Sequence, residues 1–393
     1  MAVPNTTLVS VAEVDDNHLK DLSATYPGTK VYKDWCVMLD KEAKNLDAVV
    51  IGTPDHMHAP IAMNAMQAGL QVYCEKPLTR TVYEARKLRE YAEANGVVTQ
   101  LGNQNSQGDP NQTTVQVLRD GLLGAVTEIH CMQQKTWGSM DPLGPPSAPP
   151  PGLDWDLWLG VRPERPYVAE EFHPRMWRSR LGFGCGNLGD MGCHIFHPWY
   201  LGLDLDAPET IESFGPSGVN DESWPTEVRV RWEIPGSKVS GRKRIKVTWH
   251  DGGQMPPEYV LKAIGGIQNL TRSGSVIMGE QGVLVSPHGM SGKVRLFNDG
   301  KEVKEVVQQL TSPGDHHGDF AAAVRDENGG KPPLCHWGYS GRMAEAVLLG
   351  TYSVRVPGVK LQWDTSNLRF TNSEAANALV REPYRKGWEV AGL

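Results

Sequence analysis

Three short segments contain side chains that can accept or donate a proton near neutral pH. Lys76 lies in "CEKP", His58 lies in "TPDHMH", and Asp190 and His194 lie four residues apart in "GFGCGNLGDMGCH". An imidazole, or a lysine whose pKa is depressed, can take the proton of a hydroxyl group, and residues i and i+4 share one face of a helix. Each segment alone is also typical of a solvated strand end or a helix-surface contact. Together they predict a proton-transfer site, provided that the fold brings them together.

The first hundred residues alternate between strand patterns and helix patterns. The predicted strands are "DAVVIGTPDH" (47–56), "QVYCEKP" (71–77) and "VVTQLGNQ" (97–104), and the predicted helices are 59–69 and 81–96. Strands that alternate with helices predict an α/β Rossmann-like domain with a parallel, doubly wound sheet. Ligands of such sheets bind at the carboxyl ends of the strands, which is where this order places Lys76 and "TPDHMH".

The second part of the chain has a different character, which begins after a loop rich in proline and glycine, "DPLGPPSAPPPG" (141–152). Alternating strands are predicted in "EVRVRWEIP" (227–235), "RIKVTWHD" (244–251), "GVLVSP" (282–287) and "KVRLFNDGK" (293–301), the last with an Asp-Gly turn. The pattern predicts an α+β domain with an open, mainly antiparallel sheet. We therefore divide the chain into a Rossmann-type domain, 1–108, and an α+β domain for substrate binding and oligomerisation, 109–393.

Composition excludes several classes of partner. The formal net charge of −7 provides no electrostatic reason to expect nucleic acid or anionic lipid. No stretch approaches the roughly 18 consecutive apolar residues of a transmembrane helix, and the N-terminus has no signal-peptide pattern. The six cysteines are scattered and predict reduced thiols. The sequence as written predicts a cytoplasmic protein.

The combination of motifs resembles the glucose–fructose oxidoreductase/inositol dehydrogenase/MocA family. The shared segments are "TPDHMH", "EKPL", "TQLGNQ", "DWDLWLG", "MWRSRLGFGCGNLGDMGCH" and "ANALVREPYRKGW", from residue 8 to the C-terminus. The resemblance implies NAD as cofactor, a small-molecule carbohydrate substrate, and a homo-oligomer that uses the open sheet. It also implies that Lys76 lies near the nicotinamide and the reacting carbinol, that His194 is the general acid/base, and that Asp190 orients His194 or binds a neighbouring hydroxyl.

The resemblance implies further ligand-binding residues. Glu13 would hold the adenosine ribose hydroxyls, which favours NAD over NADP. The other residues implied to line the cofactor are Thr53, Pro54, His58, Glu75, Asn103 and Gln104. His173 and Arg178, from "FHPRMWR", are substrate-side candidates.

Two other patterns have alternative interpretations. His316, His317 and Asp319 in "DHHGD" could ligate a metal, but adjacent histidines at a helix start more often cap the helix or touch substrate. We therefore assign His317 to the substrate and expect no metal site. Gly184, Gly186 and Gly189 form a literal G-x-G-x-x-G, but no strand precedes them, so we reject them as the phosphate-binding loop.

The strand predicted in "LVSVAEV", which begins at Leu8, resembles the second strand of the family's dinucleotide-binding domain. The family's first strand and its glycine-rich turn, which would hold the pyrophosphate, have no counterpart before it. Three explanations are open. The sequence is a clipped version of a longer protein, which could also have carried an export signal; the sheet closes the gap directly or borrows a strand from a partner chain; or the domain works without NAD.

Three functions follow from these patterns. The first is an NAD-dependent oxidoreductase that acts on a secondary hydroxyl of a sugar or sugar derivative. The second is redox-neutral glycoside cleavage, in which the sugar is oxidised transiently and NAD is recycled. The third is a sugar-binding or scaffold protein that has lost the cofactor.

Overall fold

The computed structural model describes residues 3–216, 218, 220–304, 306–311 and 314–393. The strands are β1 Ser10–Ala12, β2 Lys30–Tyr32, β3 Ala48–Ile51, β4 Gln71–Glu75, β5 Thr99–Gly102, β6 Val126–Met132, β7 Thr210–Pro216, β8 Val228–Pro235, β9 Arg244–His250, β10 Gly274–Gly279, β11 Val283–Pro287, β12 Arg295–Asn298, β13 Lys301–Val303, β14 Leu361–Asp364 and β15 Arg369–Phe370. The helices are α1 Leu22–Thr25, α2 Trp35–Glu42, α3 Asp55–Gln67, α4 Val82–Asn95, α5 Asp109–Arg119, α6 Trp155–Leu159, α7 Gly186–Gly202, α8 Glu258–Ala263, α9 His316–Val324, α10 Trp337–Arg355 and α11 Glu374–Val380.

The predicted α/β arrangement is confirmed for the first part of the chain. Strands β3, β4 and β5 form a parallel sheet in that order, joined by helices α3 and α4. Helix α4 begins with a capping box in which the Thr81 side chain bonds the Glu84 backbone and Glu84 bonds back. Gly69 and Gly96, with φ of +84° and +63°, follow α3 and α4 in the left-handed conformation that ends a helix. Helix α3 begins four residues before the predicted start, because Pro54 can precede a helix as readily as it can interrupt one.

The strand predicted from Leu8 lies in a separate two-stranded sheet. Strand β1 pairs in parallel with β2, and among the described residues no ladder joins β1 to β3. The proposal that the sheet closes this gap directly is therefore wrong for the described chain. In the described part of the chain β3 pairs with β4 and its other edge is unpaired, and Val50 on this strand is 69% exposed. Strand β1 is also shorter than the predicted strand.

The second part is built on a large mixed sheet. Among the described residues its order is β13-β12-β11-β10-β6-β9-β8-β7-β14-β15, and every neighbouring pair is antiparallel except β6 and β9. The predicted α+β domain is thus confirmed. The Asp-Gly turn between β12 and β13 places Asp299 and Gly300 at φ of +48° and +73°, as a tight hairpin requires. Strand β10 was not predicted, because its first four residues are all buried and show no alternation.

Helix α10 connects the two parts of the core. It is buried along most of its length and packs against α4 and α7. Arg86 of α4 forms a buried ion pair with Glu345 of α10, with Nη2–Oε2 at 2.7 Å. The segment before α10 reaches the parallel sheet, since the Leu101 amide donates to the Cys335 carbonyl at 2.9 Å. The carboxyl end of β5 is therefore held against helices of the second domain.

Two expectations from composition can be compared with the structure. The six cysteines are unpaired; Cys36 is exposed and the others are buried. Among the described residues, no helix combines the length and the apolar character needed to cross a membrane.

Buried histidines predict a loss of stability in mild acid. Burial lowers the pKa to about 3 for His56, His197 and His250, and to about 4 for His58, His288 and His316. An unfolded chain protonates these groups near pH 6.5, whereas the folded protein does not. Since the folded pKa values are depressed, the unfolded state binds more protons below about pH 6.5, and the free energy of unfolding falls as the pH falls.

Two buried acids act in the opposite direction. Burial raises the pKa of Asp55 to about 7 and that of Asp251 to about 6. As the pH falls, the folded state therefore protonates these two groups at a higher pH than the unfolded state does. The histidines outnumber them, and we expect the free energy of unfolding to drop by on the order of 5 kcal/mol between pH 7.5 and pH 5. Urea denaturation at the two pH values measures the change. Equal free energies would contradict the prediction.

Candidate active site

The carboxyl ends of two parallel strands meet helix α7. Lys76 directly follows β4 and Asn103 directly follows β5, while α7 carries Asp190 and His194 on one face. Both residues of α7 are buried. The fold therefore brings together the three residues predicted to be catalytic, although Lys76 and Asp190 are 114 positions apart.

Lys76 and Asp190 form an ion pair. The ammonium group of Lys76 donates to Oδ1 of Asp190, and the two side chains are only 15% and 9% exposed. Burial alone would raise the pKa of Asp190, but the charge of Lys76, its hydrogen bond and the nearby Arg178 together hold that pKa below its usual value. Asp190 is therefore a carboxylate at neutral pH and fixes the position of the Lys76 ammonium.

The second oxygen of Asp190 has an aromatic partner. Trp137 donates from Nε1 to Oδ2 of Asp190 at 2.9 Å. Arg178 lies between two tryptophan rings, with its guanidinium 5.5 Å from the centre of Trp137 and 4.2 Å from that of Trp177, and its Nε is 3.4 Å from Oδ1 of Asp190. The predicted substrate-side residue Arg178 thus contacts Asp190, which is one of the three residues predicted to be catalytic.

His194 is oriented by Asn103 and not by Asp190. Its Nδ1 is hydrogen bonded to Oδ1 of Asn103, while the amide nitrogen of Asn103 donates to the Cys193 carbonyl at 3.0 Å. Because that second bond directs the amide oxygen towards His194, Nδ1 of the imidazole is the protonated nitrogen and Nε2 keeps a lone pair. Asn103, predicted to line the cofactor, is therefore a positioning residue for His194 in this structure.

The imidazole of His194 is neutral at physiological pH. Burial is the main cause that places its pKa well below the ordinary value of 6.5, and the positive charges of Lys76 and Lys135 add to it. The ring of His288, which follows β11, lies 5.2 Å from that of His194, and Nε2 of His288 is 3.1 Å from the Asn105 amide. A neutral histidine with a free Nε2 can accept a proton from a bound hydroxyl.

Glu75 and Gln104 form a second polar group at the same strand ends. Gln104 donates to Oε1 of Glu75 at 2.6 Å and to the Tyr73 hydroxyl at 3.0 Å. Burial raises the pKa of Glu75. A Cβ atom at Gly102 would lie 2.6 Å from the Glu75 carboxyl, so only glycine allows this approach. The ring of His317 stacks on Tyr73 at 5.3 Å, which places this predicted substrate residue near the group.

The "TPDHMH" segment forms the end of β3 and the start of α3. His58 is buried and its Nε2 contacts the Thr53 carbonyl at 2.8 Å, so its ring supports the turn. Pro54 is the N-cap of α3. Among the described residues, Oγ1 of Thr53 is buried without a hydrogen-bond partner, and a Cβ atom at Gly52 would meet nothing within 4 Å. This strand end therefore has open space and an unused hydrogen-bonding group.

Asp55 is a further buried acid that sequence reasoning missed. Burial raises its pKa to about 7, against the opposing attraction of Lys76 and Arg178. It begins α3 and lies within the segment from which Thr53, Pro54 and His58 were selected. The signal was therefore present, but a carboxyl at a helix start is usually a cap and not a titrating group.

We call Lys76, Asp190 and His194 the Lys76 cluster. The described contacts of Glu13 and His173 are with other residues. Glu13 turns back on its own chain, where Oε1 accepts from the Asp15 amide at 2.9 Å. His173 contacts Asp15, with Nε2–Oδ2 at 2.8 Å. Among the described residues, no hydrogen bond or ring contact joins His173 to Lys76, Asp190 or His194.

The three side chains of "DHHGD" point to different partners. His316 contacts the Leu101 carbonyl at 3.0 Å through Nε2 and Ser106 through Nδ1, and Asp319 accepts from the Leu334 amide at 2.8 Å. His317 faces Tyr73. The alternative that these residues share a metal has no support in this geometry.

The glycines of the G-x-G-x-x-G are packing residues. They open α7, and the element before them is a 3-10 turn, Met176–Ser179, and not a strand. A Cβ atom at Gly184 would lie 2.7 Å from Cα of Arg178, and one at Gly189 would lie 2.1 Å from Cβ of Cys185. The rejection of this motif as the phosphate-binding loop is confirmed.

Other residues of the cluster could not be selected from sequence. Trp137 and Lys135 follow β6, and His288 follows β11. Each lies in the segment after a strand of the second sheet, and nothing in the local sequence indicates that these segments face α7. Only the packing of that sheet against α7 assigns them to the site.

A two-domain fold with a parallel N-terminal sheet, a large second sheet, and a buried Lys–Asp–His cluster between them defines a class of oxidoreductases. Residues 1–103 match the model described as "Oxidoreductase family, NAD-binding Rossmann fold", and residues 114–390 match "Oxidoreductase family, C-terminal alpha/beta domain". The chain therefore belongs to the glucose–fructose oxidoreductase/inositol dehydrogenase/MocA family.

Curated relatives match only in part. The chain is 28% identical over 162 residues to levoglucosan dehydrogenase of Pseudarthrobacter phenanthrenivorans, which covers 41% of this chain and 34% of that protein. It is 32% identical over 133 residues to the rhizopine catabolism protein MocA of Rhizobium meliloti, with 34% and 41% covered. The matched segments thus span less than half the length of these relatives, and their names bear on a proposal of activity without establishing one.

A solved structure shares the fold over most of its length. The WlbA dehydrogenase from Bordetella pertussis, in complex with NADH and UDP-GlcNAcA, is 16% identical, with a TM-score of 0.60 and 91% of each chain covered. At this identity the likeness shows the fold alone.

Proposed function

We propose that the protein is an NAD-dependent oxidoreductase that acts on a secondary hydroxyl of a sugar or sugar derivative. The observation that carries the proposal is a neutral His194 with a free Nε2, one helical turn from the buried Lys76–Asp190 pair, at the carboxyl ends of parallel strands. The family assignment and the sugar-related names of relatives, such as levoglucosan dehydrogenase, support the substrate class.

The cluster suits oxidation of a carbinol. Nε2 of His194 accepts the hydroxyl proton, because Asn103 already occupies Nδ1. The Lys76 ammonium, held by Asp190, stabilises the negative charge that develops on the substrate oxygen as the proton leaves. When bound, NAD supplies the hydride acceptor.

The residues fit the nicotinamide end of NAD better than its pyrophosphate. The unpartnered Thr53 hydroxyl, the open space at Gly52 and the Glu75–Gln104 pair provide polar groups at the strand ends. In the described residues, no glycine-rich turn follows a strand of the parallel sheets to hold phosphates. Glu13 would have to leave its contact with the Asp15 amide before it could hold the ribose hydroxyls.

The test combines binding with turnover. Calorimetric titration of NADH should give a micromolar dissociation constant, and NADH should then accumulate with one member of a panel of sugars and sugar acids. Binding without turnover on any member would contradict the substrate class. No binding by a folded protein would favour the cofactor-free sugar-binding alternative.

The second candidate is redox-neutral glycoside cleavage through a keto-sugar intermediate. Trp137 favours this function. Its indole donates to Asp190 while its ring lies beside Arg178, and an aromatic side chain in this position can hold a second sugar unit. This function predicts release of the aglycone from a p-nitrophenyl glycoside without net NADH. The oxidoreductase predicts NADH in proportion to product.

The indole of Trp137 provides a matched pair of variants. Trp137→Phe removes the bond to Asp190 but keeps an aromatic ring, and we expect kcat/KM to fall roughly tenfold, the effect of one hydrogen bond to a charged group. Trp177→Phe removes a bond to the Pro174 carbonyl at 3.2 Å and no bond to Asp190, and it should change kcat/KM by less than half as much on a logarithmic scale. Equal losses in steady-state assays would mean that the Trp137 bond has no special role.

We also propose a homo-oligomer that uses the exposed face of the large sheet. Arg229 and Arg231 of β8 are exposed on this face and flank the half-exposed ring of Phe214. An exposed aromatic ring between arginines is typical of protein interfaces. Light scattering after size-exclusion chromatography tests the proposal, and a monomeric mass would overturn it.

A further inference from the structure

Asp15, His18 and His173 form a compact group outside the Lys76 cluster. One ligand atom of each lies within 4.8 Å of the other two. Asp15 and His18 belong to the segment after β1, whereas His173 comes from the second part of the chain, 158 positions from Asp15. The sequence predicts no metal site, and this separation explains why the group has no sequence signature.

We propose that these three residues bind a divalent transition-metal ion, with Zn²⁺ as the best fit. Two imidazoles and one carboxylate are the donor set that Zn²⁺ uses where three protein ligands leave a fourth position open. Such ligands lie about 3.3 Å apart around a tetrahedral ion with bonds near 2.0–2.1 Å. The ligand atoms lie within 4.8 Å of one another and the Asp15–His173 pair is 2.8 Å apart, so binding requires the longest separation to contract and the Asp15–His173 separation to widen slightly.

The two inner ligands are held in place by their surroundings. Asp15 is 4% exposed, and its Oδ1 accepts from the amide and the side chain of Asn17 at 2.9 and 2.8 Å. Oδ2 is left to face Nε2 of His173 at 2.8 Å, where the His173 side chain is 10% exposed. An ion between these two atoms would replace a single shared proton.

The third ligand, His18, lies at the surface beside the other two. The His18 side chain is 47% exposed, and its ring centre lies 5.2 Å from that of His173. Glu13 contacts Nδ1 of His18 at 3.3 Å. A carboxylate against one imidazole nitrogen leaves a lone pair on the other, which is the common arrangement around protein-bound zinc.

The backbone nearby joins the two parts of the chain at this point. Asp15 forms an isolated antiparallel bridge with Leu153, and the Asp154 amide donates to the Val14 carbonyl at 2.9 Å. Lys33 donates from Nζ to the Gly152 carbonyl at 2.8 Å. A metal ion would therefore link two segments that already lie together, and its binding should stabilise the fold. This inference does not depend on the proposed enzymatic function.

The experiment uses the full chain after dialysis against a chelator. We expect calorimetric titration with ZnCl₂ to give one equivalent bound, Co²⁺ to give the visible absorption of a tetrahedral site, and excess Zn²⁺ to raise Tm by about 3 °C. His18→Gln, His173→Gln and Asp15→Asn should each weaken Zn²⁺ binding at least tenfold. Asp16→Asn is the matched control, since Asp16 is the adjacent acid but pairs with Lys33 at 2.7 Å, and it should keep the wild-type affinity.

Failure of the wild-type protein to bind Zn²⁺ would overturn the proposal and leave a His173–Asp15 ion pair. Wild-type affinity in His18→Gln would overturn it too, because the ion would then bind elsewhere. His18 is half-exposed, so this variant should fold even if changes at Asp15 or His173 do not.

Discussion

Replacing His194 with alanine should lower kcat by about 10²–10⁴, the usual contribution of a positioned general base. The loss should fall on kcat and leave the dissociation constant of NADH within a factor of about two, because the change removes a proton acceptor and not a contact with the adenosine. His288→Gln is the matched control. It alters the ring 5.2 Å from His194 and should reduce kcat by less than tenfold.

The pH profile tests the same assignment independently. His194 acts as a base only when it is unprotonated, and burial, followed by the charge of Lys76, holds its pKa well below 6.5. In the wild type, kcat/KM should therefore stay level as the pH is lowered from 8 to 6.5, and the acid limb should appear only below that range. An acid limb with a midpoint above pH 7 would show that another group is the base.

Replacing Lys76 with alanine should have the second large effect, on rate and on stability together. We expect kcat to fall by about 10²–10³, the loss of one preorganised group that stabilises developing charge, while KM for the sugar changes far less. The variant also leaves Asp190 buried without its ammonium partner, and breaking a buried pair costs about 3–5 kcal/mol.

A double-variant cycle separates the two effects. Asp190→Asn alone leaves a buried ammonium, Lys76→Met alone leaves a buried carboxylate, and the double variant Lys76→Met with Asp190→Asn removes both charges. The double variant should regain most of the lost free energy of unfolding and none of the lost kcat. If the double variant were as active as wild type, Lys76 would have only a structural role. Additive losses of stability would mean that the pair is not coupled.

The local structure around the site followed from sequence because it depends on short-range chemistry. Gly69 and Gly96 predicted helix ends, and Asp299-Gly300 predicted a hairpin turn, since only certain residues tolerate positive φ. Alternation in "EVRVRWEIP" predicted β8, whose burial alternates along the strand. Strand β10 was not predicted from sequence. Its first four residues are buried on both faces of the sheet, so it lacks the alternation on which such predictions depend.

The family assignment and the fold class also followed from sequence. The motifs around Lys76, Asp190 and His194 predicted a Rossmann domain followed by an α+β domain, and both are confirmed. These motifs can be recognised from sequence because each is a short continuous segment at the end of a strand or the start of a helix. The boundary at residue 108 stays a prediction.

Only the tertiary structure decided which side chains meet. Asn103 orients His194 across 91 positions, and His173 reaches Asp15 across 158. Composition and periodicity report whether a residue is buried and on which face, but they carry no information on the element that packs against that face. By itself the sequence determined the fold class and the family, and it selected Lys76, Asp190 and His194 as the candidate catalytic residues. The packing of α7 and α10 against the strand ends decided the tautomer of His194 and the partner of Lys76, because contacts between distant segments form only when the whole core is assembled.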